Sequence, residues 1–362
     1  MAELLSRANE KFKECCDIKP NDVRALYNWA FSLTKLAETN SSFWKDVYGL
    51  YERVLVFNPS DWKTFWKWGT ALCSQAHQSS TAMAALLFKE ATVKLEQAIK
   101  LLPKHHSQTY YNAANAYLNL ARKLEATKDE KVEAEHIVYI LAKAIKYFQE
   151  ALKEDSTNIE ALRNLAISES VKARRAQVEL EERDTLYNAA CATYQRVALA
   201  APWESEIWYC WGNALFRQAT THKDVMSAQA IDLGLQSAEK YLTTLRLKKE
   251  SKDAFTNLGA VIQLLLKQDL SEDETYQVDQ VILRYFDCFI FELVNQNEKV
   301  MVVLRHIMRS PGHTSAQQQY VVRRAAKLYG QFNAEKRYAR IGREEYYPPQ
   351  KVEVDPPQEE VS

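Results

Sequence analysis

The sequence predicts an all-α protein built from stacked helix pairs, and three observations carry that prediction. Breakers are few, with 8 Gly and 9 Pro in 362 residues, amid abundant Ala, Leu, Lys, Glu and Gln, which hold helix readily. One arrangement of large and small side chains, spaced three and four apart as on a helix face, occurs six times. A second arrangement alternates with it and commonly ends at proline, which cannot continue a helix.

The first arrangement opens in "LYNWAFSL" (26–33), where Leu26, Trp29 and Leu33 flank the small Ala30. "FWKWGTAL" (65–72) repeats it with Gly69 in the small position, and "YYNAANAY" (110–117) with Ala114. "LRNLAISE" (162–169) keeps Leu162, Leu165 and Ala166 but places Glu169 in the last apolar slot. "WYCWGNAL" (208–215) and "FTNLGAVI" (255–262), with Gly212 and Gly259, complete the set. The small residues let neighbouring helices approach, and the large ones fill the space between successive pairs.

The second arrangement reads Ala8–Phe12–Cys15–Pro20, Val47–Tyr51–Val54–Pro59 and Ala91–Leu95–Ala98–Pro103. It continues as Ala144–Phe148–Ala151–Ser156 and Ala190–Tyr194–Val197–Pro202, with a degenerate last copy, Ser237–Tyr241–Thr244. From each Pro (or Ser156) to the next large residue the gap is six or seven residues. The local expectation is a helix ended by Pro, a tight turn and a new helix.

This two-helix unit resembles the tetratricopeptide repeat, whose helix A reads large-x-N-L-G-x-A-Y and whose helix B reads A-x-x-x-F-x-x-A-x-x-x-x-P. The resemblance spans residues 1–268 and implies an α-α superhelix in which each helix A lines a concave groove. The period departs from the family: the small residues at 30, 69, 114, 166, 212 and 259 lie 39, 45, 52, 46 and 47 apart, against 34 in the standard repeat. The extra length falls between helix A and helix B, so long hairpin arms are expected. Residues 115–155 are expected to be two helices meeting near Thr127–Lys131, while 73–84 and 218–229 are expected to be more loop-like at their tips.

Beyond the repeats, 269–345 is expected to form a helical cap. Residues 274–296 are expected to form an apolar helix, followed by two more around a Pro311-Gly312 break with Thr314 or Ser315 as N-cap. The final "YYPPQKVEVDPPQEEVS" (346–362) carries two Pro pairs and an acidic end, the composition of a disordered tail. Deleting it should change the melting temperature by less than about one degree, because so little apolar surface cannot offset ordering entropy. A larger loss in a thermal melt would mean that the tail docks.

Lys plus Arg and Asp plus Glu are equal at 47 each, which argues against a general electrostatic affinity for nucleic acid or acidic membrane. The N-terminus "MAELLSRANEKFKECC" has no apolar core run, so no signal peptide is expected. The densest apolar run, 288–294, already contains Glu292 and is far short of a membrane span. Six cysteines without metal-ligand spacing are expected to be reduced packing residues, which suggests a cytosolic protein. No nucleophile–base arrangement, phosphate loop or zinc pattern appears, so no enzyme activity, cofactor or metal is expected.

The resemblance implies which residues face the groove: those three and two before the small residue and one after it. Here these positions include Tyr27, Asn28, Trp66, Tyr111, Asn112, Asn115, Asn164, Tyr209, Asn213 and Asn257. Aromatic side chains offer rigid contact area, and an Asn amide gives one donor group and one acceptor to a peptide backbone. The asparagines resemble the ladder that holds extended peptides in O-linked N-acetylglucosamine transferase and kinesin light chains. Their alternative role is to satisfy neighbouring helices, with the aromatics as core. The family's carboxylate clamp for chaperone tails needs cations six and two before the small residue of a third helix A. Gln108/Asn112, Glu160/Asn164, Glu206/Cys210 and Asp253/Asn257 stand there instead, so no clamp is expected.

These features predict a protein–protein adaptor or scaffold that binds an extended partner segment. The alternative is an adaptor for nucleic acid or membrane that uses the basic cluster Arg323, Arg324, Lys327, Lys336, Arg337, Arg340 and Arg343. Steep salt dependence of binding would mark that alternative.

Overall fold

The computed structural model describes residues 2–127, 134–222, 228–268, 270–288, 303–304, 319, 321–328 and 330. They contain thirteen α-helices, one 3-10 turn at Ser41–Phe43 and no strand among the described residues. Two compact units are present, 1–268 and 269–362.

In the first unit, the helices carrying the first arrangement (A helices) are α2 (Val23–Ala37), α4 (Trp62–His77), α6 (Ser107–Thr127), α8 (Ile159–Arg175), α10 (Ser205–Thr221) and α12 (Lys252–Leu265). The B helices are α1 (Ala2–Ile18), α3 (Trp44–Phe57), α5 (Thr81–Lys100), α7 (Ala134–Ala151), α9 (Leu180–Ala200) and α11 (Ala228–Leu247). Each helix packs on the next in sequence, and each A helix also touches the next A helix. The A helices therefore form one continuous layer, in a tetratricopeptide-like superhelix.

Local chemistry sets the boundaries. Pro20, Pro59, Pro103 and Pro202 each follow a B helix by two or three residues. Several A helices then start on side-chain caps. Asp22 accepts from the Ala25 N–H at 3.0 Å, Asn158 from Ala161 at 2.9 Å and Ser251 from Ala254 at 3.4 Å. Each cap satisfies an orphan amide of the first turn. The arms are long, with 20 or 21 residues in α5, α6, α9 and α11.

The 73–84 segment departs from the loop-like expectation. Helix α4 runs to His77 and α5 begins at Thr81, leaving only 78–80 between them. The segment holds no Gly or Pro, and Ala76, Ala84 and Ala85 are buried against the stack, so packing extends both helices. In the 218–229 hairpin α10 continues to Thr221, and 223–227 lie outside the described residues. Helix α6 ends at Thr127, and 128–133 are likewise outside them.

The core follows the repeat. Ala30, Ala114 and Ala166 are fully buried, and so are the B-helix residues Tyr51, Leu95, Phe148 and Tyr241. At Gly69 an added Cβ would lie 2.5 Å from Leu95 Cγ, and at Gly212 it would lie 2.9 Å from the Tyr241 ring. These two glycines are there for close approach. Two lysines bridge the same contacts. Lys94 Nζ sits 3.4 Å from the centroid of the Trp68 ring, and Lys240 Nζ sits 3.8 Å from that of Trp211, as cation–π staples.

Glu169, in its apolar slot, accepts a 2.8 Å hydrogen bond from Thr193. Burial pushes its carboxyl above the ordinary 4.5, partly opposed by the Thr193 bond and by Arg196 and Lys172. A carboxyl raised in the folded state costs nothing while protonated in both states. The cost appears as pH rises from 4.5 through the raised value, and stability falls there. Glu169→Gln should therefore raise the melting temperature at pH 7 and lose that advantage near pH 4. Parallel melts at the two pH values test this; an equal shift at both would overturn it.

The second unit contains α13 (Glu272–Asp287), opened by a capping box between Ser271 and Glu274. Val278, Ile282, Tyr285 and Phe286 form its buried stripe. Residues 289–296 of the expected longer helix, the Pro311-Gly312 break, Thr314, Ser315 and the tail from 346 lie outside the described residues.

Candidate functional site

All ten candidate groove residues, Tyr27 to Asn257, are half-buried. Since 3.6 residues make one turn, side chains three and two before the small residue and one after it share one face of each A helix.

The asparagines are joined in pairs across that layer. Asn164 on α8 donates to Asn115 Oδ1 on α6 at 2.8 Å, and Asn257 on α12 donates to Asn213 Oδ1 on α10 at 2.8 Å. Asn213 Oδ1 also accepts from the Tyr241 hydroxyl at 2.7 Å, while Asn257 Nδ2 lies 3.4 Å from the Tyr209 hydroxyl. Of the two roles weighed from the sequence, bonding to a neighbouring helix is the one these pairs make. Asn213 Oδ1 is filled by two donors, so only its amide N–H groups are free to face a ligand. Asn115 Oδ1 has accepted one bond and keeps a second lone pair. Asn112 accepts from Gln108 within its own helix at 3.0 Å.

The aromatic residues form a wall of uneven character. Trp66 stacks on Trp62 with centroids 6.1 Å apart, and His106 lies 5.1 Å from Trp62 and 5.2 Å from Trp66. Lys67 bridges helices, its ammonium 4.7 Å from the Phe31 centroid on α2 and 4.2 Å from that of Trp66. Burial lowers the Lys67 pKa, and repulsion from Lys35 adds to the effect. Tyr111 donates weakly to Glu160 at 3.5 Å. Beside it, where α6, α7 and α8 meet, Gln108, Asp155 and Glu160 line a polar cleft of about 360 Å³.

Arg122 was not singled out by the sequence motifs. It lies two turns beyond Asn115 on α6 and is exposed. Crowding by the surrounding helices lowers its pKa; Cys210, Tyr194 and Glu206 favour its charge, and Arg163 opposes it. Arg163 is itself paired with Glu160 at 3.0 Å and with Glu204 at 3.6 Å. The signal that finds Arg122 is its spacing of seven from Asn115, which keeps it on the same face.

Burial pushes the thiols of Cys73, Cys191 and Cys210 up to about 12, 11 and 11, leaving them protonated and unreactive at neutral pH. Among the described residues, no three His, Cys, Asp or Glu side chains are grouped to hold a metal, and no helix is long and apolar enough to cross a membrane.

The basic cluster is described only in part. Arg323 and Lys327 are exposed. Arg324 pairs with Asp287 at 2.8 Å and lies 5.6 Å from the Phe286 centroid. It is therefore partly neutralised by α13. Lys336, Arg337, Arg340 and Arg343 lie outside the described residues.

The alternating helix pairs give the chain a tetratricopeptide-like helical-repeat fold. Residues 42–204, spanning α3 to α9, match the family model described as plant specific mitochondrial import receptor subunit TOM20. No curated protein matches the sequence. Among solved structures, the chain resembles YrrB, a TPR protein with an unusual peptide-binding site. That likeness has 14% identity and a TM-score of 0.41, and it covers 67% of this chain and 99% of that one. It also resembles the C-terminal part of a TPR repeat-containing protein from Cytophaga hutchinsonii, at 13% identity and a TM-score of 0.46, over 83% and 94% of the two chains. A third is the S. pombe nuclear import adaptor Nro1, at 13% identity and a TM-score of 0.46, over 84% and 98%. At such identities and TM-scores these structures carry no functional argument. Small differences in per-repeat rotation accumulate along a solenoid.

Proposed function

We propose that this protein is a non-enzymatic interaction adaptor of the cytosol, which holds an extended segment of a partner protein along its layer of A helices. The observation behind this reading is the set of half-buried aromatic and amide side chains on the A helices from Tyr27 to Asn257. Aromatic anchors supply buried area, while the remaining Asn N–H groups and lone pairs supply backbone hydrogen bonds. The match of α3 to α9 to an import receptor family supports a protein-binding role.

The segment is expected to run past Trp66 and Tyr111 and across the Asn115–Asn164 pair. Arg122 beyond that pair adds a positive charge, which favours an acidic residue in the partner at that point. The test is affinity purification of the full chain followed by cross-linking mass spectrometry. Cross-links from the partner to Lys63, Lys67 and Lys123 are expected. Cross-links confined to Lys327 and neighbouring lysines, with binding that collapses as salt is raised, would overturn the reading in favour of the basic cluster.

A further inference from the structure

One register recurs where neighbouring A helices meet. The residue one after the small position of one A helix lies against the residue two before the small position of the next. Asn115 meets Asn164 in this way, and Asn213 meets Asn257, each at 2.8 Å. In those two pairs an amide N–H and an amide oxygen answer each other across the helices. Between α2 and α4 the same two positions hold Phe31 and Lys67. Lys67 Nζ lies 4.7 Å from the centroid of the Phe31 ring, so the register is kept while the chemistry of the pair changes.

That change decides what the pair leaves over. An ammonium carries three N–H donors, and a ring face attracts its charge without supplying a lone pair. The second ring near Lys67, that of Trp66, is of the same kind. Among the described residues no carboxylate pairs with Lys67. The charge acting on it is that of Lys35, which repels it and is itself paired with Glu38 at 3.0 Å. Burial and that repulsion both disfavour the ammonium, and a carboxylate brought against it would offset both. The Phe31 ring is 42% exposed, which leaves an apolar surface open beside the cation.

We propose that Lys67 sets the charge preference of the groove at its α2–α4 end. It receives the carboxylate of an aspartate or glutamate side chain in the bound segment, and Phe31 seats the apolar residue next to that acid. The inference rests on the reading of the A-helix wall as the binding surface. Arg122 stands on the next A helix, near its C-terminal end, so the segment carries acidic residues at two separate points.

The probe is a library of random nine-residue peptides, acetylated and amidated at their ends so that only side chains supply carboxylates. The full-length chain is expected to select peptides with Asp or Glu beside a large apolar residue. Lys67→Met keeps an unbranched apolar stem between Phe31 and Trp66, so it should melt as the parent does. It should bind the selected peptides about threefold or more weakly and discriminate no longer between the acid and its amide at that position. Lys67→Glu should select Lys or Arg there instead. An acid preference that both variants retain, with binding still lost in Trp66→Ala, overturns the proposal and leaves the wall reading standing. Selection of no peptide, or of peptides that bind folded Trp66→Ala as they bind the parent, overturns both.

Discussion

Gly212→Ala is expected to destabilise the repeat unit by about 1–3 kcal/mol, although alanine is the better helix former. The new methyl would sit 2.9 Å from the Tyr241 ring. That ring cannot turn away easily. It is fully buried, and its hydroxyl is held by Asn213 at 2.7 Å. The Gly212 carbonyl also accepts from Ser237 at 2.9 Å, so moving α10 outward would strain a second bond. Gly49 is the control, because it lies inside α3 and a Cβ there meets nothing within 4 Å. Gly49→Ala should stabilise by roughly 0.5–1 kcal/mol, the ordinary gain for removing a helix-interior glycine. Urea denaturation of the two variants beside the parent measures both. Shifts of the same sign would refute the close-packing account.

Trp66→Ala is expected to weaken partner binding by 2 kcal/mol or more, about thirtyfold, if Trp66 is an anchor of the A-helix wall. The loss has to be separated from damage to the wall, since Trp66 also packs on Trp62 and His106 and carries Lys67 over its face. Trp66→Phe preserves a ring at the site and should recover most of the affinity. Asn164→Ala should cost less, on the order of 1 kcal/mol. Part of that cost would come from releasing Asn115, with which Asn164 is bonded. Affinity by calorimetry and stability by thermal melt, measured on the same preparations, keep the two effects apart. If folded Trp66→Ala and Asn164→Ala both bind the partner as the parent does, the wall is not the binding site.

Residue periodicity by itself determined the all-α class, the alternation of A and B helices, the proline-marked turns and the small residues at the contacts. Those features are local. A helix needs only its own spacing, caps and breakers, and each is written within a few residues of where it acts. The long arms were legible too, because they follow from counting residues between motifs. What only the tertiary structure decided depends on the register between helices separated by about one repeat. Asn115 finds Asn164, and Asn213 finds Asn257, 49 and 44 residues away. No local pattern says whether an amide on a helix face will point to a ligand or to its neighbour, because the stacking angle chooses. The same holds for Lys94 and Lys240, whose sequence neighbours carry no sign of the tryptophans that the fold places beneath them.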